Sequence, residues 1–503
     1  MIARRIGAVV VVTLGAVVCA EGVMRWVDGY QVLTVRLRRV RYAQETKTPD
    51  RQYLPAIPMA PGVDASWYEQ DPPAIPRIPM TPEVTARLNA NNRNSYNAFM
   101  VWNPAFVRTR VCSAAAADRV NVFGDLREFL MYDAPADQPY PSYRHMPRVS
   151  PPGWFVVNSF GWRGPDLAAT RPPRTIRIAF VGASTTVDPY YLPFSHIELV
   201  GHWLNEWAAA RNLPYRFEVI NAARTGIDSY SIREIVRQEV LSVDPDLVVY
   251  YEGSNDFAPG KALKLPETLP AAPKETFRSR GKSEEYSALA VRVFDLALKL
   301  TGRGGFEPWK PRYPFKWVDG IAEDAPDISK PKLPMDQQVI VNNLEAAQSA
   351  AASNGTELAI ASFVWMVYPG MRLDMTRHLV LYRYLNQTYF PATYAHMRRT
   401  ADFQNRVFLA FTRAHGLTYL PMAEAFPPDP DLFGDAIHMT ERGLRLQAWI
   451  YLQQLIPIIQ SRIDAHRWPK APATTPVSAV WASQPPHVAT IEFIVASCSP
   501  QGH

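Results

Sequence analysis

Five short apolar runs, alternating with segments of helical periodicity, limit what this chain can fold into more than any other feature. "TIRIAFVG" (175–182), "FEVINAA" (217–223), "DLVVYYEG" (246–253), "TELAIASFV" (356–364) and "LTYLPM" (417–422) are rich in Val, Ile and Tyr and nearly continuous in apolar character. A strand with one wet face alternates polar and apolar residues; a strand covered on both faces does not. The runs therefore predict a buried parallel sheet. Parallel strands cannot be joined by tight hairpins and need crossovers, which the intervening segments supply. Ile197, Val200, Leu204 and Trp207 share a helical face behind a Ser195/Glu198 capping box, and Ile232, Ile235, Val236 and Val240 share another behind Ser231/Glu234. Residues 336–352, 395–415 and 441–462 read as three further helices. The expected fold is α/β: a flavodoxin-like three-layer α/β/α sandwich on a five-stranded parallel sheet. Ligands of such folds bind at the carboxyl ends of the strands.

The rest of the 503 residues is organised around this core. Residues 1–22 carry a basic "MIARR" and an uncharged run of fifteen, "IGAVVVVTLGAVVCA", before Glu21. This reads as a signal peptide or a membrane anchor, so the chain is expected to be exported, either anchored and facing the periplasmic or extracellular side, or secreted. Residues 23–150 are proline-rich, and "PAIPMAPG" and "PPAIPRIPMTP" read as extended, polyproline-like connectors, with short helices near 81–90 and 122–132. The α/β unit is expected over 151–463. Two long insertions, 257–335 (with one helix near 284–301) and 365–394, interrupt it, and 464–503 read as an extended tail. The aromatic "VWMVYPGM" in the second insertion has two readings, sugar stacking and core packing. Of three cysteines, Cys19 lies in the apolar segment, and a Cys112–Cys498 disulfide is open in an exported chain. Three cysteines exclude a cysteine-rich metal framework, and the ten histidines show no HExxH pattern, so no metal site is expected. A net charge of +6 without a concentrated basic stripe argues against nucleic acid as a partner.

Four loci gather chemistry at the predicted carboxyl edge. Ser184 follows the first strand in "VGAST"; taken alone it is a nucleophile, an anion-binding hydroxyl or a helix cap. Gly226, in "NAARTG" after the second strand, is either a left-handed turn residue or a backbone N–H open to a substrate oxygen. Asn255, in "YEGSNDF" after the third, is turn chemistry or a neutral oxyanion donor. Asp435 and His438, in "FGDAIHMTERG", are three apart, which in a helical turn puts a carboxylate beside an imidazole; the second imidazole nitrogen is then free to take a proton from a serine. Thr440 can cap the helix that follows. No phosphate-binding loop or dinucleotide fingerprint is present.

In this order and at these strand ends, the four loci resemble the blocks of the SGNH hydrolase superfamily, also called GDSL-type lipases and acylhydrolases. The Ser, Gly, Asn and His of its blocks match Ser184, Gly226, Asn255 and His438, and the resemblance covers roughly residues 151–463 with the two insertions unmatched. The upstream "VNSFGWRGPD" is similar to the lead-in of bacterial envelope members. The first block usually reads Gly-Asp-Ser and here reads Gly-Ala-Ser-Thr; the missing Asp is not one of the family's catalytic residues. The resemblance implies an ester hydrolase without cofactor: Ser184 as nucleophile, His438 as base, Asp435 orienting it, and Ser184, Gly226 and Asn255 forming the oxyanion hole. The expected substrate is an O-acyl ester, either an acetylated glycan or a lipid. Two alternatives stand beside it: an O-acyltransferase acting on an envelope polysaccharide, which needs a partner to deliver the acyl group, and a non-catalytic glycan-binding envelope protein on the same scaffold.

Overall fold

The computed structural model of the chain describes residues 2–27, 32–35, 51–77, 150, 156–168, 170–189, 192–270, 286–300, 313–373 and 378–471. The short helices expected near 81–90 and 122–132, and Cys112 and Cys498, lie outside these residues. Cys19 is a free, exposed thiol.

Strands β1 (Thr175–Gly182), β2 (Arg216–Asn221), β3 (Leu247–Tyr251), β4 (Glu357–Ala361) and β5 (Thr418–Leu420) form one sheet in the order β2-β1-β3-β4-β5. All four pairings are parallel. Every residue of β1 and β3 is buried, as their nearly continuous apolar character requires; the exception in kind, Arg177 of β1, is paired with Glu218 at 2.7 Å and donates to the Val243 carbonyl at 2.6 Å. This is the flavodoxin-like order, in which the chain reverses its direction of winding at β1. In register, Gly182 pairs with Tyr251 of β3, and Phe180 pairs with Asn221 of β2. The carboxyl ends of β1 and β3 are therefore level, the edge strand β2 ends two residues lower, and the loops that leave the three strands are neighbours.

Two short helices and four long ones complete the sandwich: α2 (Ser184–Val187), α3 (His196–Ala210), α4 (Ser229–Gln238), α6 (Gln337–Ser353), α8 (Tyr394–His415) and α10 (Glu441–Asp464); α5 (Ala288–Leu300) and α7 (Leu379–Arg383) belong to the insertions in the β3–β4 and β4–β5 connections, α1 (Ile2–Val27) precedes the sheet and α9 (Met422–Ala425) follows β5. Right-handed crossovers put α3 and α10 on one face of the sheet and α4, α6 and α8 on the other, and α3 packs on α10 while α4 packs on α6. The Ser195/Glu198 capping box forms at the start of α3. The Ser231/Glu234 box does not. Helix α4 starts three residues earlier, because the Asp228 carboxylate accepts from the Ser231 N–H at 2.9 Å and from its hydroxyl at 2.7 Å. Glu234 instead pairs with Arg233 at 2.7 Å and Arg237 at 3.0 Å.

The proline-rich segment 51–77 is not a free connector. Its prolines punctuate two 3₁₀ turns, and the apolar residues between them dock: Ile57, Val63, Trp67 and Tyr68 are buried in the main core. The Ala60 N–H donates to Gln453 at 2.6 Å, Trp207 Nε1 to the Pro61 carbonyl at 3.0 Å, and Arg445 to the Tyr68 carbonyl at 2.9 Å. Tyr68 and Trp203 each meet the Trp449 ring edge-on at 5.5 Å. At the other end of the chain, Trp468 is buried and the Lys470 N–H donates to Asp246 at 2.7 Å, so the tail first folds back across the amino ends of the strands. Helix α1 runs past residue 22 to Val27. Among the described residues no helix is long and apolar enough to cross a membrane.

Candidate active site

The first strand ends where only glycine fits. A Cβ on Gly182 would stand 2.0 Å from Thr186 Oγ1 and 2.2 Å from the Tyr251 carbonyl oxygen. That approach lets the Thr186 hydroxyl donate to the Tyr251 carbonyl at 2.5 Å, which ties the turn to the end of β3. Ser184 opens the one-turn helix α2 directly above, half-buried, while Thr185, Thr186 and Val187 behind it are buried.

The Asp435–His438 segment is not helical, as the three-residue spacing led us to expect. It is a tight loop closed by a Phe433–Met439 bridge and by the Gly434 N–H donating to the His438 carbonyl at 2.7 Å. Asp435 Oδ1 accepts from the backbone N–H of Ile437 at 2.9 Å and of His438 at 2.8 Å, an Asx turn that fixes its carboxylate. Thr440 then caps α10, accepting from the Gly443 N–H. Gly443 is held within 2.2 Å, measured from an ideal Cβ, of the Leu432 carbonyl, so this end of α10 lies flat against the loop.

The loop delivers His438 to the serine. His438 Nε2 stands 2.8 Å from Ser184 Oγ, and His438 Nδ1 stands 2.7 Å from Asp435 Oδ2. An ionised Asp435 requires the ring proton on Nδ1, which leaves the Nε2 lone pair facing the serine hydroxyl. Electrostatics support that state. Burial works to raise the Asp435 pKa, but the charge and hydrogen bond of His438, with the two backbone N–H donors, hold it below the usual carboxylate value. Burial likewise works to lower the His438 pKa, but Asp435, reinforced by the charges of Glu252 and Asp188, raises it above 6.5. The His438 side chain is 32% exposed, so the imidazole can be reached from solvent.

Gly226 and Asn255 stand on the neighbouring loops. Beyond β2, the Arg224 N–H donates to the Gly182 carbonyl at 3.3 Å, which carries the pairing up to the rim and sets Gly226 just past it. Gly226 has a positive φ of 72°, and a Cβ there would meet nothing within 4 Å. The Asn255 side chain donates one amide hydrogen to the Ile227 carbonyl at 2.6 Å, linking its loop to that of Gly226 and leaving the second hydrogen free.

Four positioning groups escaped the sequence reading. Buried Arg163, in the "FGWRG" lead-in, donates to the carbonyls of Val187 at 3.0 Å, Asp188 at 3.2 Å, Pro189 at 3.2 Å and Leu192 at 3.0 Å. It gathers the loop that follows Ser184. Asn221 adds donations to the Thr186 and Val187 carbonyls, both at 3.4 Å. A second imidazole–carboxylate pair, His196 and Asp188 at 2.7 Å, is fully buried and stacks on Tyr451 at 5.6 Å. It anchors the same loop to α3. Glu252 is buried at the end of β3, where Oε1 accepts from the N–H of Ser254 at 2.6 Å and of Asn255 at 2.8 Å, and from the Ser254 hydroxyl at 2.9 Å. The signal for Glu252 was a lone carboxylate at the end of an otherwise apolar strand.

The second insertion borders the site. Tyr384 and Tyr389 are half-buried, with ring centroids 5.4 Å apart. Burial, joined by the charges of Asp435 and Glu252, pushes the Tyr384 hydroxyl up to about 12. In "VWMVYPGM", Trp365, Met366 and Val367 are buried, and Trp365 packs on Phe257 at 4.7 Å, so this stretch is core packing. Among the described residues no group of three His, Cys, Asp or Glu side chains is placed to hold a metal.

No protein-family model matches the chain. No curated protein matches it either. Among solved structures it is similar to a lipase/acylhydrolase from Enterococcus faecalis, at 17% identity and a TM-score of 0.30, over 57% of this chain and 96% of that one. It is similar to a GDSL-like lipase from Bacteroides thetaiotaomicron at 11% identity and a TM-score of 0.28, over 57% and 88% of the two chains. It is also similar to an acetylxylan esterase from Geobacillus stearothermophilus at 13% identity and a TM-score of 0.31, over 56% and 94%.

Proposed function

We propose that this chain is a serine ester hydrolase acting through an acyl-serine intermediate. The observation that carries the reading is the unbroken hydrogen-bonded chain from Ser184 Oγ through His438 to Asp435 Oδ2, with links of 2.8 Å and 2.7 Å. The Ser184 oxygen attacks the ester carbonyl while its proton passes to His438 Nε2. Asp435 holds the imidazole in the required tautomer and stabilises the imidazolium. The tetrahedral oxyanion is held by the backbone N–H groups of Ser184 and Gly226 and by the free amide hydrogen of Asn255. His438 then protonates the leaving alcohol. In the second half-reaction it takes a proton from water, which attacks the acyl-serine, and returns that proton to Ser184 Oγ as the acyl–oxygen bond breaks and the acid leaves.

The substrate is an O-acyl ester of a glycan or a lipid, lying against the wall formed by Tyr384 and Tyr389. The test is an ester panel from acetyl to long-chain, with acetylated glycans included, run on wild type and Ser184→Ala beside fluorophosphonate labelling. Turnover and label that both disappear in Ser184→Ala support the hydrolase. A well-folded wild type with neither label nor turnover defeats it. Adding acceptor sugars separates release of free acid from transfer to a sugar hydroxyl.

A further inference from the structure

Glu21 and Arg25 interrupt the apolar amino-terminal helix, yet neither is left to solvent. They pair with each other at 2.6 Å on successive turns of α1. Glu21 also caps a helix some 260 residues away. It accepts from the Ser287 hydroxyl at 2.8 Å, from the Ala288 N–H at 2.8 Å and from the Leu289 N–H at 3.0 Å, at the first turn of α5. Arg25 donates to the Tyr286 carbonyl just before that helix and to the Thr34 carbonyl on its own side. Burial works against the Glu21 charge, but these donors together bring its carboxyl down to about 2. The two charges that break the apolar run are thus the joint that holds α5 against α1.

Beside this joint lies an apolar stripe, with Arg292 exposed at its edge. On α5, Val293, Leu296 and Leu300 are exposed at a spacing of three and four, one stripe of the helix. On α1, Val9, Val12, Leu14, Val17 and Val18 are all exposed. At about 100° per residue these five point around most of the helix circumference. Trp26 stands 77% exposed beside the polar joint. A protein groove covers one face of a helix, whereas a bilayer covers all of them. A helix apolar all round finds its solvent in a protein core or in lipid, and here the core does not enclose it. An indole at the polar edge and a basic "MIARR" at the amino end of the sequence complete the pattern of a lipid-bound segment.

We propose that α1 and α5 form a two-helix element that docks on a lipid bilayer, with the Val293–Leu296–Leu300 stripe in the acyl-chain boundary and the Glu21–Arg25 pair as its internal polar joint. The second helix belongs to the insertion between β3 and β4, so membrane contact is not confined to the amino terminus. The element is independent of the reaction chemistry.

The test uses the full chain and vesicles of phosphatidylcholine with one quarter phosphatidylglycerol. An environment-sensitive fluorophore is placed at Leu296→Cys, in a background with the three native cysteines replaced by serine, and a control fluorophore at Val339→Cys, on an exposed position of α6. The label at 296 shifts to shorter wavelength on vesicle binding and is quenched by acyl-chain-brominated lipid, while the label at 339 does neither. The triple substitution Val293→Glu, Leu296→Glu, Leu300→Glu lowers vesicle partition by more than tenfold without changing the circular dichroism spectrum. A wild type that does not float with vesicles, or a 296 label that stays in water when it does, overturns the proposal. So does a dimer in buffer that the triple variant dissolves while vesicle binding is absent. If the triple variant fails to fold, the two labels still decide.

Discussion

His438 Nε2 lies 2.8 Å from Ser184 Oγ across 254 residues of sequence. The contact joins the two ends of the α/β unit, since one residue follows the first strand and the other precedes the last helix. Removing either partner should abolish the same step. Ser184→Ala and His438→Ala are each expected to lower kcat by at least about 10³-fold, and the double variant no further, because the groups act as one unit. Thermal melts should move little, since both side chains are in part exposed. A double variant markedly slower than either single one would show that they act separately.

The base works only when neutral, so the elevated His438 pKa sets the acid limb of the rate profile. Below that pKa the imidazole is protonated and cannot accept the serine proton. kcat/KM should therefore rise with pH through a midpoint above 6.5. Asp435→Asn removes the largest influence raising that pKa, so its residual activity should show a midpoint at lower pH. Its kcat should fall by about 10⁴-fold, because the amide no longer selects the tautomer. An unchanged midpoint in that variant would separate Asp435 from the base.

Asn255 and its support can be told apart. If Asn255 holds the oxyanion as proposed, Asn255→Ala should lower kcat by about 10²–10³-fold with little change in KM. Glu252→Ala should also lower kcat, and in addition destabilise the fold by about 1–3 kcal/mol for each buried N–H left without its acceptor. Glu252→Gln keeps the Oε1 acceptor, so it should retain more activity. It also deletes a charge that raises the His438 pKa, so its acid limb should move down. Steady-state kinetics against pH, with denaturant melts, reads all three.

Arg163 holds four consecutive-loop carbonyls and stands 3.5 Å from Glu198. Arg163→Met removes the side-chain donor from these carbonyls and the counter-charge beside buried Glu198, and should destabilise the chain by about 3–5 kcal/mol. Arg163→Lys should not rescue it, because an ammonium cannot present the guanidinium fork to carbonyls on two sides. If the lysine variant matches wild type in melts and turnover, the fork is not what organises the loop.

The sheet was legible because strands buried on both faces leave no choice of residue: the eight positions of β1 admit no exposed side chain. The Ser195 cap was legible because its partner Glu198 is local. The start of α4 was not, since Asp228 and Ser231 are both residues that cap helices and only the packed helix shows which of them does so. The meeting of Ser184 with His438 could be expected from strand order alone. What escaped was the scaffolding under them. Arg163 and Asn221 act on backbone carbonyls, which have no sequence signature, and the Asp435 loop owes its shape to a bridge rather than to helical spacing. Segment 51–77 was misread for a related reason. Proline content reports local stiffness and is silent about where the intervening Ile57, Trp67 and Tyr68 will dock.

That docked segment has a bearing on how the α/β unit is prepared in isolation. A chain trimmed to begin at residue 151 looks self-sufficient, with every strand and crossover intact. It would nevertheless bare the indoles of Trp203, Trp207 and Trp449, which are almost fully enclosed in the intact chain. Such a fragment should clump or need detergent, and adding back residues 51–77, tethered or as a separate peptide, should make it behave as a monodisperse particle.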